Sequence, residues 1–387
     1  MKNNEFEYLE NIIKQFKIEG IVKSISRPNS DGNINNTYVV TCDTLDGNEK
    51  KYILQEINQN VFENPYKVME NIENVTAHIE KINPNQEILR PIKRNFSKQS
   101  PLPNNIYTDR KNKCWRMYNF IDNSISYDVS KNPEILKQAG IGFAKFHKDL
   151  AAYPMNYLYE TIPNFHNTQK RFLDFLSATR NNPVGRVQNC HNEIVDLLKY
   201  REDYPLITDL IEDERIPLRV VHNDTKINNI LFDKDTQDFK CVIDLDTIMP
   251  GSVLYDIADA IRSGAATSFE NETDLSKVTI DMNLVEAFLE GYLSIMKYEL
   301  TYEEIKNIPN AIKIITLELA MRFLTDYING DVYFKTDFNN PKLNLERAQN
   351  QIKLAKEIEA KIPEIHQIID RIVYTKDFSR TLKKPEN

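Results

Sequence analysis

The spacing of apolar positions changes period along the chain, and the changes mark its elements. Leu9, Ile12, Ile13 and Phe16 recur at helical intervals, which predicts an opening helix through residues 11–16. From Gly20 the period shortens to two. Residues 21–26, 36–41 and 51–57 read as strands separated by turn-rich residues 27–33 and 43–48, so an antiparallel meander is expected. Pro65–Ile82 carries an apolar stripe of Val68, Ile72, Val75 and Ile79 and has proline in its first turn, which predicts a helix. Residues 88–92 and 105–107 are short strand candidates, and 114–121 is a stronger one. Asp122-Asn123-Ser124 then breaks the pattern. Beyond it, helices are expected over 133–151, 165–180, 193–213 (interrupted at Pro205), 257–263, 284–300, 312–327 and 345–362. Gly140 and Gly142 in the first of these predict close helix packing. Apolar runs at 220–221, 230–232 and 241–243 read as buried strands, with 233–238 as the turn between two of them. The chain is therefore read as α+β with two lobes. Residues 1–121 form an antiparallel sheet plus helix, and 122–387 form a larger, mainly helical part.

Composition narrows the function classes. Hydrophobic content of 41% and charged content of 27% are ordinary for a globular protein. A net charge of −8 argues against a nucleic-acid or anionic-membrane partner, which would want a basic face. No apolar run approaches membrane-spanning length, and the polar start lacks a signal-peptide core, so a cytoplasmic protein is expected. Cys42, Cys114, Cys190 and Cys241 lie far apart with no C-x-x-C, as reduced, buried thiols do.

Chemistry concentrates between Val220 and Arg262. His222, Asp224 and Asn229 spell H-x-D-x-x-x-x-N, and Asp244 follows an apolar run fifteen residues after Asn229. Protein kinases use the same parts: an Asp that accepts the substrate hydroxyl's proton, an Asn five residues on that binds metal, and a second Asp for the metal bridging the phosphates. The residue types suit the task. A transferring phosphoryl group is anionic, so carboxylates act on it through Mg²⁺, which takes oxygen ligands and tolerates Asn beside Asp. In the same frame the first hairpin covers the phosphates. Here that loop has only Gly32, with Asn29, Asn33, Asn35 and Asn36 around it, and Asn33 is the candidate contact. Gln55 stands where the third-strand Lys is expected, and it cannot neutralise a phosphate. Lys51 and Arg90 are possible substitutes, and Glu70 and Glu73 are candidates for the charged partner on the following helix. Backbone groups of 118–121, including Tyr118, Phe120 and Ile121, would form the hinge that meets adenine. Asp256 and Asp259 read as ordinary helix N-terminal residues. Glu318, Arg322 and Asp326, spaced by four, read as one charged helix face in which Arg322 pairs with either acid.

The segments HNDTKINN, CVIDLDT and YDIADAIR, with GIGFAKFH before them, resemble the aminoglycoside phosphotransferase and choline kinase superfamily. Within it, GNINNTY at 32–38, Leu54-Gln55 with Asn64-Pro65, the HNDTKINN loop, RFLTDY at 322–327 and GDVYF at 330–334 resemble the N-acetylhexosamine 1-kinases. The resemblance implies a bilobal protein-kinase-like fold. It implies an ATP- and Mg²⁺-dependent kinase that phosphorylates the C1 hydroxyl of an N-acetylhexosamine. Asp224 would be the catalytic base and also touch the sugar, and Asn229 and Asp244 would hold Mg²⁺ with Asp246 close by. Arg322 and Tyr333 would contact the sugar. A monomer with a small-molecule sugar substrate is expected. Rival readings are an aminoglycoside or other small-alcohol kinase, a non-catalytic nucleotide-binding pseudokinase, and an adaptor.

Overall fold

A computed structural model describes residues 3–28, 34–95, 104–334, 336–337 and 339–374. The chain divides into two compact units. The first comprises Met1–Ser124, Ala152–Pro163 and Lys240–Met249; the second comprises Ile125–Ala151, Asn164–Phe239 and Pro250–Asn387.

In the first unit, helix α1 (Asn3–Ile13) precedes strands β1 (Ile21–Ser26), β2 (Asn36–Asp43) and β3 (Glu49–Ile57). Helix α2 (Pro65–Ile82), strand β4 (Tyr107–Thr108) and strand β5 (Cys114–Asn119) follow. The five-stranded sheet has the order β1-β2-β3-β5-β4, and the pairings of its first four strands and of β4 with β5 are antiparallel. The stripe of α1 explains where that helix sits. Leu9, Ile12, Ile13 and Phe16 are buried with Tyr38, Val40, Leu54, Trp115 and Met117 from the sheet. Helix α2 starts where the sequence places it because Asn64 Oδ1 accepts the Lys67 N–H and Pro65 is pre-set for the first turn.

The segment 88–92 is not a strand, contrary to expectation. It runs beside β5 through hydrogen bonds from Ile92 N to Met117 O and from Asn119 N to Arg90 O, with a single bridge at Pro91. Pro91 has no N–H to donate, so no ladder can extend through it.

A two-residue strand β6 (Ser124–Ile125) leads into helix α3 (Pro133–Asp149). The second unit continues with α4 (Thr168–Asn181), α5 (His191–Leu198), α6 (Leu206–Glu212) and β7 (Arg219–Val221). Strand β8 (Ile230–Asp233) completes this stretch; β9 (Phe239–Val242) falls mostly in the first unit, and after β10 (Met249–Gly251) the second unit resumes with α7 (Val253–Gly264), α8 (Met282–Met296), α9 (Tyr302–Asn329) and α10 (Leu343–Tyr374). Two helices run longer than expected, α9 through Pro309 and α10 through Pro363. A proline inside a helix normally marks an end because it removes an N–H. Here Ile305, Ile308, Ala311 and Ile312 are buried on both sides of Pro309, so tertiary packing overrides the local signal. Helix α9 begins with a Thr301–Glu304 capping box and stops at Gly330, whose φ of 95° only glycine adopts easily. It packs against α4, α7 and α10. Gly140 on α3 and Gly291 on α8 let those two helices cross closely: a Cβ on either would strike the Phe288 or Lys137 carbonyl across the crossing.

Candidate active site

The catalytic-loop candidate lies in the second unit, directly after β7. Val220 and Val221 are buried, and the chain then turns through Asn223, whose φ is +65°. A left-handed Asn needs outside support, and Asp256 on α7 supplies it. Its Oδ2 accepts the His222 N–H at 2.6 Å and meets His147 Nε2 at 2.7 Å, while its Oδ1 accepts the Asn223 N–H at 2.7 Å. Thr225 Oγ1 donates to the Asp256 carbonyl at 2.6 Å. Asp256 therefore has a structural role, as the sequence indicates, but a different one from a helix cap. It fixes the loop 33 and 34 residues before it. Burial works to raise its carboxyl, yet His147, His222 and the loop N–H hold it below the usual carboxylate range.

Within the loop, Asp224, Lys226 and Asn229 come together. Asp224 Oδ1 is 2.9 Å from Lys226 Nζ, and Asn229 Nδ2 donates to Asp224 Oδ2 at 3.0 Å and to its carbonyl at 2.8 Å. The Asp224 side chain remains 29% exposed, so a hydroxyl can reach it. Burial again pushes the carboxyl up, but the Lys226 ammonium, His222 and the Asn229 amide outweigh it and keep the group ionised below the ordinary range. Asp224 in turn raises Lys226. With its nitrogen committed to Asp224, Asn229 has its amide oxygen left to meet a cation. Lys226 was not singled out in the sequence, although it lies inside the H-x-D-x-x-x-x-N motif.

Asp244 and Asp246 belong with the first unit. Asp244 sits at the N-terminus of a short turn with φ of +60°, a second left-handed polar residue. Asp246 is buried and takes a bidentate ion pair from Arg116 on β5: Nη1 meets Oδ1, and Nη2 meets Oδ2 at 2.8 Å. Asn35 Nδ2 adds 2.7 Å to Oδ2. The β3–β5 register places Gln55 opposite Arg116, and Gln55 Oε1 accepts from Arg116 Nε at 3.0 Å while its nitrogen donates to Thr37. So the cation beside Gln55 comes from the neighbouring strand. Burial works against the Arg116 charge, but Asp246, Tyr118 and Asp244 raise its pKa further still. Neither suggested substitute fills this place. Arg90 pairs with Glu80 at the surface, and Lys51 lies over the Phe120 ring. Glu73 accepts from Asn105 and Glu70 is near the Tyr159 hydroxyl, so neither is Arg116's partner. Tyr118 is buried under Arg116, and burial raises its phenol. Beyond Asn119 the ladder ends, which leaves the Phe120–Ile121 backbone outside the sheet pairing. Asn33 lies outside the described residues.

Arg322 and Tyr333 also come together. They line a cavity of about 460 Å³ with Arg171, Asp174, Ser177 and Phe334. The expected charged face on α9 is instead buried and divided. Glu318 is taken by His166 and Thr168, and Asp326 by the backbone N–H groups of Val332, Tyr333 and Phe334 and by Asn344. Arg322 pairs with neither acid. Its guanidinium lies 5.3–5.8 Å from the ring centres of Phe165, Tyr333 and Phe334. No helix of the described residues is long and apolar enough to cross a membrane, and all four cysteines are buried and unpaired.

Solved structures of similar fold include an aminoglycoside phosphotransferase from Alicyclobacillus acidocaldarius. It is 16% identical at a TM-score of 0.58, with 91% of this chain and 94% of that one covered. An amicoumacin kinase in complex with AMP-PNP and Ca²⁺ is 13% identical at 0.55, covering 94% and 97%. A microcompartment-associated aminopropanol kinase is 14% identical at 0.56, covering 92% and 98%. The family model described as phosphotransferase enzyme family matches residues 26–305, the stretch that holds β2, β3, Arg116, the Asp224 loop and its Asp256 anchor, and the chain belongs to that family.

Proposed function

We propose that the protein transfers the γ-phosphoryl group of a nucleoside triphosphate to the anomeric hydroxyl of an N-acetylhexosamine. The observation that carries the reading is the pairing around Asp224: a part-exposed carboxylate, kept ionised, on a loop anchored to a buried aspartate. Asp224 accepts the proton of the acceptor hydroxyl. The acceptor oxygen then bonds to phosphorus as the bond to the bridging oxygen breaks, and the nucleoside diphosphate leaves. Lys226 holds positive charge beside that oxygen. Asn229 and Asp244 would hold Mg²⁺, since an amide oxygen and a carboxylate are donors of the kind it accepts. When bound, the cation would neutralise phosphate charge. Gln55, Tyr118, Phe120 and Ile121 remain the proposed nucleotide contacts, Gln55 acting with Arg116. The bound AMP-PNP in one structural relative supports a nucleotide donor.

The sugar reading rests on the Arg322–Tyr333 cavity together with the segments at 322–327 and 330–334. Aromatic walls with a few polar groups suit a polyol. A polycationic aminoglycoside would meet two arginines there. ADP release should be followed by a coupled assay over N-acetylhexosamines, aminoglycosides, choline and amino alcohols. Turnover confined to the sugars supports the proposal; turnover only with amines overturns it.

A further inference from the structure

The cavity beside Arg322 holds more positive charge than a neutral sugar needs. Arg171 on α4 and Arg322 on α9 both line it. Arg171 Nη2 donates to the Phe165 carbonyl at 3.0 Å, and the Phe165 ring lies beneath Arg322. Arg171 Nε is buried with no hydrogen-bond partner. Two carboxylates line the same cavity, but both are engaged elsewhere: Asp174 with Lys170, and Asp326 with three backbone N–H groups and Asn344. Among the described residues, neither arginine forms an ion pair. Burial, and then the neighbouring Arg322, pull Arg171 below its ordinary pKa. Glu318 and Asp174 act on Arg171 only at a distance, and two guanidinium groups lining one part-buried pocket without a direct ion pair, one of them with an orphaned donor, are unfavourable. A planar two-oxygen anion would relieve this, since the guanidinium fork matches carboxylate and phosphate. The place is right for an acceptor substituent. Phe165 precedes His166, whose Nε2 meets the Asn223 carbonyl of the Asp224 loop at 2.9 Å.

We infer that Arg171 and Arg322 form an anion subsite, so that the preferred acceptor is an N-acetylhexosamine bearing a carboxylate or phosphate substituent. This rests on the sugar-kinase reading above. The subsite also distinguishes the acceptor from a cationic amino alcohol.

The test compares kcat/KM for a neutral N-acetylhexosamine with its 6-carboxylate, 6-phosphate and 3-O-carboxyalkyl derivatives, with saturating ATP and Mg²⁺. At least one acidic derivative should exceed the neutral parent by about tenfold or more, and the arm that wins tells carboxylate from phosphate. In Arg171→Gln that ratio should fall towards one, and in Arg171→Lys it should be largely kept. A neutral parent as good as every acidic derivative, or an unchanged ratio in Arg171→Gln, overturns the subsite. If no sugar of either kind is phosphorylated, the sugar reading itself fails. The subsite is then judged by calorimetry with acetate and inorganic phosphate on MgADP-saturated protein. Binding lost in Arg171→Gln supports it, and absence of binding overturns it.

Discussion

Replacing Asp224 by Asn keeps the shape of the side chain while removing the charge that Lys226 and Asn229 hold in place. We expect kcat to fall by about 10²–10⁴, with the thermal unfolding midpoint close to that of the parent; an assay for ADP release and a melting curve read the two. The pH profile follows from the same contacts. The Asp224 carboxyl is held below the ordinary carboxylate range, so the proposed base stays ionised as pH falls through that range. The acid limb of kcat/KM assigned to this group should therefore lie below it, and a limb within or above that range would contradict the assignment. Neighbouring residues repeat the lesson that type and spacing do not fix a partner. Glu318, Arg322 and Asp326 have ideal spacing for helical ion pairs, yet His166 and the 332–334 backbone take the acids first. That left Arg322 to the aromatic rings and the cavity.

At the scale of elements, two buried carboxylates hold the loops proposed to carry the chemistry. Asp256→Ala would leave the His222 and Asn223 N–H groups without their acceptor and deprive His147 of its partner. A destabilisation of about 3–5 kcal/mol is expected by chemical denaturation. Because the folded-state pKa of Asp256 is depressed, this contribution is present above the usual carboxylate pKa and is lost as pH falls below it. The difference between parent and variant should shrink accordingly in acid. Arg116→Met would strand Asp246 in the interior, with a loss again of about 3–5 kcal/mol, whereas Arg116→Lys should restore part of it because the charge remains without the bidentate fork. Helix α8 has a steric counterpart. Gly291→Val would collide with the Lys137 carbonyl and should destabilise by about 1–3 kcal/mol or more.

For the whole molecule, the parts with a local period were legible in the sequence. The meander, Pro65–Ile82 and the strand at 114–119 follow from alternation, caps and turn residues. The expected division of 193–213 at Pro205 also holds, as α5 and α6 are separate helices. What depended on distant packing was hidden. The helices expected over 312–327 and 345–362 leave out Pro309 and Pro363, but the buried faces of α9 and α10 carry those helices through both prolines. Arg116 was invisible as the partner of Gln55 until the β3–β5 register set the two side by side. The motif at His222, Asp224 and Asn229 was legible because its parts lie within eight residues of one loop. Its anchor Asp256 looked like a helix-start residue because nothing local shows where its oxygens point. The central claim, phosphoryl transfer to an anomeric hydroxyl, is tested most directly by phosphorus NMR of the product formed from ATP, Mg²⁺ and N-acetylhexosamines, neutral and acidic, with Asp224→Asn as the blank. The account predicts a phosphate on C1 that the variant does not make. A product phosphorylated at any other hydroxyl, or equal turnover by the variant, would contradict it.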